Sequence, residues 1–151
     1  RSFRCCLAEI VANAGLKIKH SAIDVNENAM LNMTLEKHLV VKNLRADGVK
    51  FQIDNFGKGA TSLSVLLDIE FDRVKMDARL INQLVESDKV QKHCQMVKAM
   101  SDVLGFKIIA EGVEEQEQIK VLSQMQCHFA QGHYYSEALD FTELKTYIEK
   151  L

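Results

Sequence analysis

Five times along the chain a short β-prone run gives way to a stretch with helical apolar spacing, and this alternation limits the fold more than any other feature. The β-prone runs are HSAIDVNE (20–27), VKFQID (49–54), DRVKMD (72–77), FKIIAE (106–111) and CHFAQG (127–132). VKFQID is the clearest of them. Val49, Phe51 and Ile53 fall on one side of an extended chain, and Lys50, Gln52 and Asp54 on the other. Between the runs, residues 30–44 carry Leu31, Leu35 and Leu39 at i, i+4 spacing, and residues 61–67 predict a short helix. After the third run, Val90, Cys94, Val97 and Leu104 share one face of a longer helix. After the fourth, EGVEEQEQ opens a helix that turns Ile119, Leu122 and Met125 inward, its acidic residues suited to the positive end of the helix dipole. Residues 141–151 close the chain, with Asp140 and Glu143 spaced as a capping box, and residues 3–14 read as a leading helix stopped by Gly15. Strands alternating with helices predict a parallel sheet with helical cover, either doubly wound or closed as a barrel.

The strand ends favour the barrel. A polar residue stands at or near the C-terminal end of every predicted strand: Asp24 or Glu27, Asp54 with Asn55, Lys75, Glu111 and Gln131. Barrel enzymes assemble their sites from several strand ends on that one face, whereas a doubly wound sheet concentrates its ligand at one switch point. Each residue alone has a plain structural reading. Asp54 and Asn55, in FQIDNFGKG, are ordinary turn residues whose side chains bond nearby backbone. Lys75 at a strand end is normally solvated or paired with a carboxylate, and Glu111, Gln131, Asp24 and Glu27 can cap helices or brace loops. Together they supply carboxylates, amides and one cation, a set able to hold a hard divalent cation with an anionic substrate beside it.

Composition narrows the function classes. The 151 residues suit one domain, spanning 1–151, and 47% hydrophobic with 26% charged residues is an ordinary globular composition. A net charge of −2 gives no electrostatic footprint for DNA or for an anionic membrane. No apolar run reaches the length of a membrane span, and no leader pattern is visible. The four cysteines lack CxxC spacing, which argues against zinc and against a disulfide framework and makes a reducing cytoplasm the expected setting. The chain starts at Arg1 rather than Met, so a piece of a longer protein is expected.

Four segments in order, IDNFGKGATSLSVL, FDRVKMD, LGFKIIAEGVE and QGHYYSEAL, resemble the EAL domain, the bacterial cyclic di-GMP phosphodiesterase barrel, from Ser21 onward. The resemblance implies a TIM-barrel-like α/β fold of which this chain carries the last five βα units, that is, a partial barrel. It implies Mg²⁺ or Mn²⁺ as cofactor, held by Asp24, Asp54 and Asn55, with Glu27 bracing a neighbouring loop. It implies catalytic roles for Lys75 and Glu111 near the attacking water, and substrate contacts from Gln131 and Gly132. Partners would be cyclic di-GMP and a second copy of the chain, and an upstream sensor or diguanylate-cyclase domain is expected in a longer parent.

The chain also departs from the family pattern. Asp24 is one methylene shorter than the family's metal-binding Glu, and Asn55 replaces the second Asp of an Asp-Asp-Phe-Gly motif. Lys58, Ala60 and Ala138 stand where Thr, Tyr and Pro are usual. The signature Glu-Ala-Leu segment and the Asn ligand after it belong to earlier strands and have no match here; LAEI at 7–10 lies inside the leading helix. The reading is a cyclic di-GMP signalling domain with impaired catalysis. The alternatives are a metal-dependent phosphodiesterase when the whole barrel is present, and a protein-interaction half-barrel that binds no nucleotide.

Overall fold

The computed structural model describes residues 3–26, 29, 34–56 and 71–150. It begins with helix α1 (Phe3–Asn13), followed by strand β1 (Ala22–Asn26) and helix α2 (Leu35–Ala46). Strand β2 (Lys50–Phe56) comes next, then β3 (Arg73–Met76), the short helix α3 (Ala78–Asn82) and the long α4 (Asp88–Leu104). Strand β4 (Lys107–Glu111), helix α5 (Gln116–Gln124), strand β5 (Phe129–Gln131) and helix α6 (Phe141–Ile148) complete the chain. The strands form one sheet in the order β1-β2-β3-β4-β5, every neighbouring pair parallel. Spatial order following chain order is how a (β/α) barrel winds, and the chain has the α/β, TIM-barrel-like partial-barrel architecture expected from its strand-end polar residues and from the family resemblance.

Local chemistry sets the boundaries. Gly15 adopts φ 69° after α1, and Gly105 adopts φ 80° after α4, the left-handed stop that a residue with a Cβ resists. Asp140 accepts the amides of Thr142 and Glu143 at 2.8 and 2.9 Å, while Glu143 accepts the Asp140 amide at 2.9 Å, so the predicted capping box forms. Two details differ from the sequence reading. The helix expected directly after β3 is split, because Asp77 caps α3 through the Arg79 amide and Ser87 separately caps α4 through the Val90 amide. Leu35 and Leu39 of the expected apolar stripe do not face the core. Leu35 is 82% exposed, Leu39 is exposed too, and the buried residue of α2 is Leu44. The apolar spacing was real, but Val41 and Leu44 are the residues that reach Val49 and Phe51. Leu31 and the predicted helix at 61–67 lie outside the described residues.

The sheet is strongly two-sided. Ile53, Val74, Met76, Ile108 and Ala110 point to the helices and pack with Ile81, Leu84, Cys94, Val97 and Leu122 in the main core. Each such large apolar side chain contributes about 1.5–3 kcal/mol relative to exposure. Successive residues on a strand alternate faces, so the opposite face carries Asp24, Lys50, Gln52, Asp54, Arg73, Lys75, Lys107, Glu111, Phe129 and Gln131. That face is the concave, lumen side of the partial barrel.

Candidate functional site

Lys75 is the centre of the lumen face. Its Nζ lies 2.8 Å from Glu111 Oε1, 3.2 Å from Asp24 Oδ2 and 3.4 Å from Asp54 Oδ1. One ammonium thus joins carboxylates from β1, β2 and β4, and its side chain is only 12% exposed. Burial by itself would push the Lys75 ammonium down. Hydrogen bonds to Glu111 and Asp24, with the attraction of both carboxylates, outweigh it and hold the group above the ordinary lysine range.

A ring of amides supports this cluster. Gln131 Nε2 donates to Glu111 Oε1 at 3.0 Å, which ties β5 to β4 beyond their backbone pairing. Gln52 Nε2 donates to Asp24 Oδ1, and Asn55 Nδ2 donates to Asp54 Oδ2. The Gln52 role was missed in the sequence. Its signal was available, since Gln52 shares the polar side of VKFQID with Asp54, and the β1–β2 register sets it opposite Asp24. Asn55 has a second feature: its backbone sits at φ 58°, where the β2–β3 register shifts between Ile53 and Phe56. Asn tolerates that left-handed conformation better than most residues, so the bulge and the amide contact both suit it.

Two glycines fix the rim. A Cβ on Gly132 would come within 2.2 Å of the Val113 carbonyl oxygen, so the chain leaving Gln131 passes directly over the Val113 backbone. That backbone receives and returns bonds, with Val113 N–H donating to Gln131 O and Tyr134 N–H to Val113 O, each at 3.0 Å. Gly112 follows Glu111 with φ 71°, and a Cβ there would meet Ala78 Cβ at 2.5 Å. Asp77, 5% exposed, caps the helix leaving β3 and accepts Arg79 Nε at 3.0 Å.

The structure therefore gathers Asp24, Asp54, Lys75, Glu111 and Gln131 on one face, with Asn55 bonded to Asp54 and Gly132 packed against the Val113 backbone just after β5. Glu27 lies outside the described residues. The donor set is oxygen-only and anionic, the chemistry that suits a hard divalent cation. Among the described residues no three His, Cys, Asp or Glu side chains close around a common point as metal ligands do. Their carboxylates instead converge on the Lys75 ammonium. The donors fit a divalent cation in kind, provided that part of this ion pairing is exchanged for it.

The EAL domain model matches residues 5–138, and the chain belongs to the EAL domain family. Among curated proteins it is 30% identical over 135 residues to the cyclic di-GMP phosphodiesterase NbdA of Pseudomonas aeruginosa, covering 89% of this chain and 17% of that protein. Among solved structures it superposes with TM-score 0.82 on Klebsiella pneumoniae BlrP1 in its manganese and cyclic di-GMP complex, at 31% identity over 87% of this chain and 34% of that one. The EAL domain of Mycobacterium smegmatis DcpA matches with TM-score 0.87 and 26% identity, over 95% of this chain and 65% of that one. The chain spans about a fifth or less of the length of the curated relatives it matches. No helix among the described residues is long and apolar enough to cross a membrane.

Proposed function

We propose that this chain is a cyclic di-GMP-binding regulatory module of EAL type in which phosphodiester hydrolysis is impaired. The observation that carries the reading is the state of Lys75, whose ammonium is shared by Asp24, Asp54 and Glu111 beside an amide, Asn55, where the family pattern has a carboxylate. An Asn offers a cation one neutral oxygen, whereas Asp offers two oxygens and a full charge. Three carboxylates offset by one ammonium leave enough negative charge for one divalent cation and little for a second. Two-cation clamps stabilise both the attacking and the leaving oxygen of a phosphodiester displacement, so losing one cation removes most of the rate.

The roles follow from position. Asp24, Asp54 and Asn55 would hold the divalent ion, which when bound supplies Lewis-acid charge to a phosphate oxygen. Lys75 and Glu111 occupy the places next to the reacting phosphate, Lys75 as the cation facing it and Glu111 as the carboxylate that positions Lys75. Gln131 presents an amide donor at the end of β5, with Gly132 keeping the backbone close. Donors of this kind hold a phosphate without performing chemistry on it.

Calorimetric titration with cyclic di-GMP, with and without Mn²⁺, tests the reading. Saturable binding that Lys75→Ala and Gln131→Ala each weaken supports it. Heats at the level of dilution in both conditions would leave only the interaction-module alternative. Hydrolysis by a longer chain carrying the complete barrel would restore the phosphodiesterase alternative for that chain.

A further inference from the structure

Beyond Met76 and Ala110, the last paired residues of β3 and β4, the two chains that carry Lys75 and Glu111 leave the sheet without further strand pairing. β3 leads through Asp77 into α3, and β4 leads through Gly112 and Val113 to α5. Side-chain and backbone contacts join these exits instead. Gly112 lies against the first residue of α3, since a Cβ there would meet Ala78 Cβ at 2.5 Å. Gln118, in the first turn of α5 and only 4% exposed, makes the stronger connection. Its Oε1 accepts the amides of Glu114 and Glu115 at 2.8 and 3.0 Å, and its Nε2 donates to the Ile81 carbonyl oxygen of α3 at 3.2 Å. Capping α5 uses the Oε1 bonds alone. The Ile81 bond adds nothing to that cap and reaches across to the helix that follows the Lys75 strand.

We propose that Gln118 is a positioning residue for the Lys75–Glu111 pair, its amide fastening the chain that leaves Glu111 to the chain that leaves Lys75. The pair depends on such a fastening. Lys75 stands level with Ile109 rather than with Glu111, so the 2.8 Å contact is set by how the two strand ends lean toward each other. Glu111 is the last residue of β4, and Gly112 follows it at φ 71°, a turn whose glycine imposes little direction of its own. Gln118 anchors that turn on both sides, through Glu114 and Glu115 after Glu111 and through Ile81 after Lys75. A buried amide is costly wherever its polar atoms lack partners, and here its oxygen and nitrogen both bond backbone, on opposite sides of the gap. Groups that meet a ligand keep their geometry when a surrounding layer of hydrogen bonds locks them. The effect of Gln118 on cyclic di-GMP rests on the function proposed above; its effect on Lys75 and Glu111 does not.

Amine acylation of the folded 151-residue chain, read residue by residue by mass spectrometry, tests the role without any ligand. Lys75 is shielded and held protonated by its carboxylates, so it should be acylated about ten-fold or more slower than the exposed Lys107. Lys98, paired with Asp102 on α4 at 2.7 Å and with its side chain 14% exposed, reports general loosening. Gln118→Met removes all of these bonds. Gln118→Glu keeps both amide bonds, which favour its ionised form, and loses the donor to Ile81. Each variant should raise the Lys75 rate about five-fold or more relative to Lys98. An unchanged Lys75 rate in both variants, or equal rises at Lys75 and Lys98, would overturn the role. A rise in Gln118→Met alone would reduce Gln118 to a helix cap and overturn it as well. Calorimetry with cyclic di-GMP and Mn²⁺ is the second arm. If the natural chain binds, Gln118→Glu should bind about ten-fold more weakly, and equal affinity would overturn the role. Absence of binding by the natural chain would defeat the proposed function and leave the acylation rates to decide Gln118.

Discussion

Lys75 Nζ and Glu111 Oε1 stand 2.8 Å apart across two adjacent parallel strands, and the same Glu111 oxygen also accepts Gln131 Nε2 at 3.0 Å. One carboxylate oxygen therefore ties β3, β4 and β5 together at the ends where the site lies. Lys75→Met breaks this knot and leaves three partly buried carboxylates without their shared cation. The expected cost is about 2–3 kcal/mol, below that of fully buried pairs because the cluster borders solvent. It is read from the urea midpoint at unchanged m-value. Added Mn²⁺ should raise the midpoint of the variant more than that of the natural chain, since the ion replaces the missing charge. Equal Mn²⁺ effects on the two proteins would show that the carboxylates do not share a cation-binding role.

Asn55→Asp carries two opposed effects. Without metal it replaces the Asn55 to Asp54 hydrogen bond with two adjacent carboxylates, and stability should fall by about 1 kcal/mol. With Mn²⁺ the added charge should tighten binding about ten-fold or more, because charge count sets affinity in oxygen sites. Manganese titration followed by electron paramagnetic resonance separates the two effects. Unchanged manganese affinity would reduce Asn55 to its place in the bulge, where its left-handed φ already suits it.

Acid sensitivity should concentrate at Asp72. Burial by itself would raise its pKa, but hydrogen bonds from Lys50 and the Phe51 amide, with the nearby Arg45 guanidinium, hold it below the ordinary 3.8. A carboxylate lowered in the folded state contributes stability that is complete above its unfolded pKa and is lost as pH falls through the folded value. Asp72→Asn should therefore cost about 1–3 kcal/mol at neutral pH and leave a shallower fall in stability below pH 4. Urea melts of both proteins across that range give the comparison, and parallel pH profiles would contradict the assignment.

Thiol reactivity should split by depth. Burial pushes the Cys94 thiol up to about 11, so almost none of it is thiolate at pH 8. Cys5 is exposed on α1. Under native conditions a disulfide reagent should label Cys5 at least ten-fold faster than Cys94, and denaturant should erase the difference. Rapid labelling of Cys94 in the folded chain would mean that α4 opens away from the sheet.

Much of this architecture is written in short-range patterns. Val49, Phe51 and Ile53 alternate with Lys50, Gln52 and Asp54, and that alternation already separates the core face of β2 from its lumen face. Asp140 and Glu143 announce the α6 cap in the same local way. What escaped depends on partners distant in sequence. Leu35 and Leu39 have helical spacing but point outward, because which side of α2 meets the sheet is set by Val49 and Phe51. Residues of the candidate site were legible as strand-end polar groups, and the strand order followed from the barrel reading, since the alternation alone also allowed a doubly wound sheet. That Lys75 would draw Asp24, Asp54 and Glu111 to itself was not, since the carboxylates stand 51, 21 and 36 positions away and meet only through sheet register.

The central claim is that this chain binds cyclic di-GMP at the Lys75 cluster and does not cleave it. Incubation of the 151-residue chain with cyclic di-GMP and Mn²⁺, with bound and free nucleotide resolved by chromatography, addresses both halves at once. The account predicts that nucleotide is retained by the natural chain, lost from Lys75→Ala, and recovered intact and cyclic after hours. Steady release of the linear dinucleotide, or no retention by the natural chain, would contradict it.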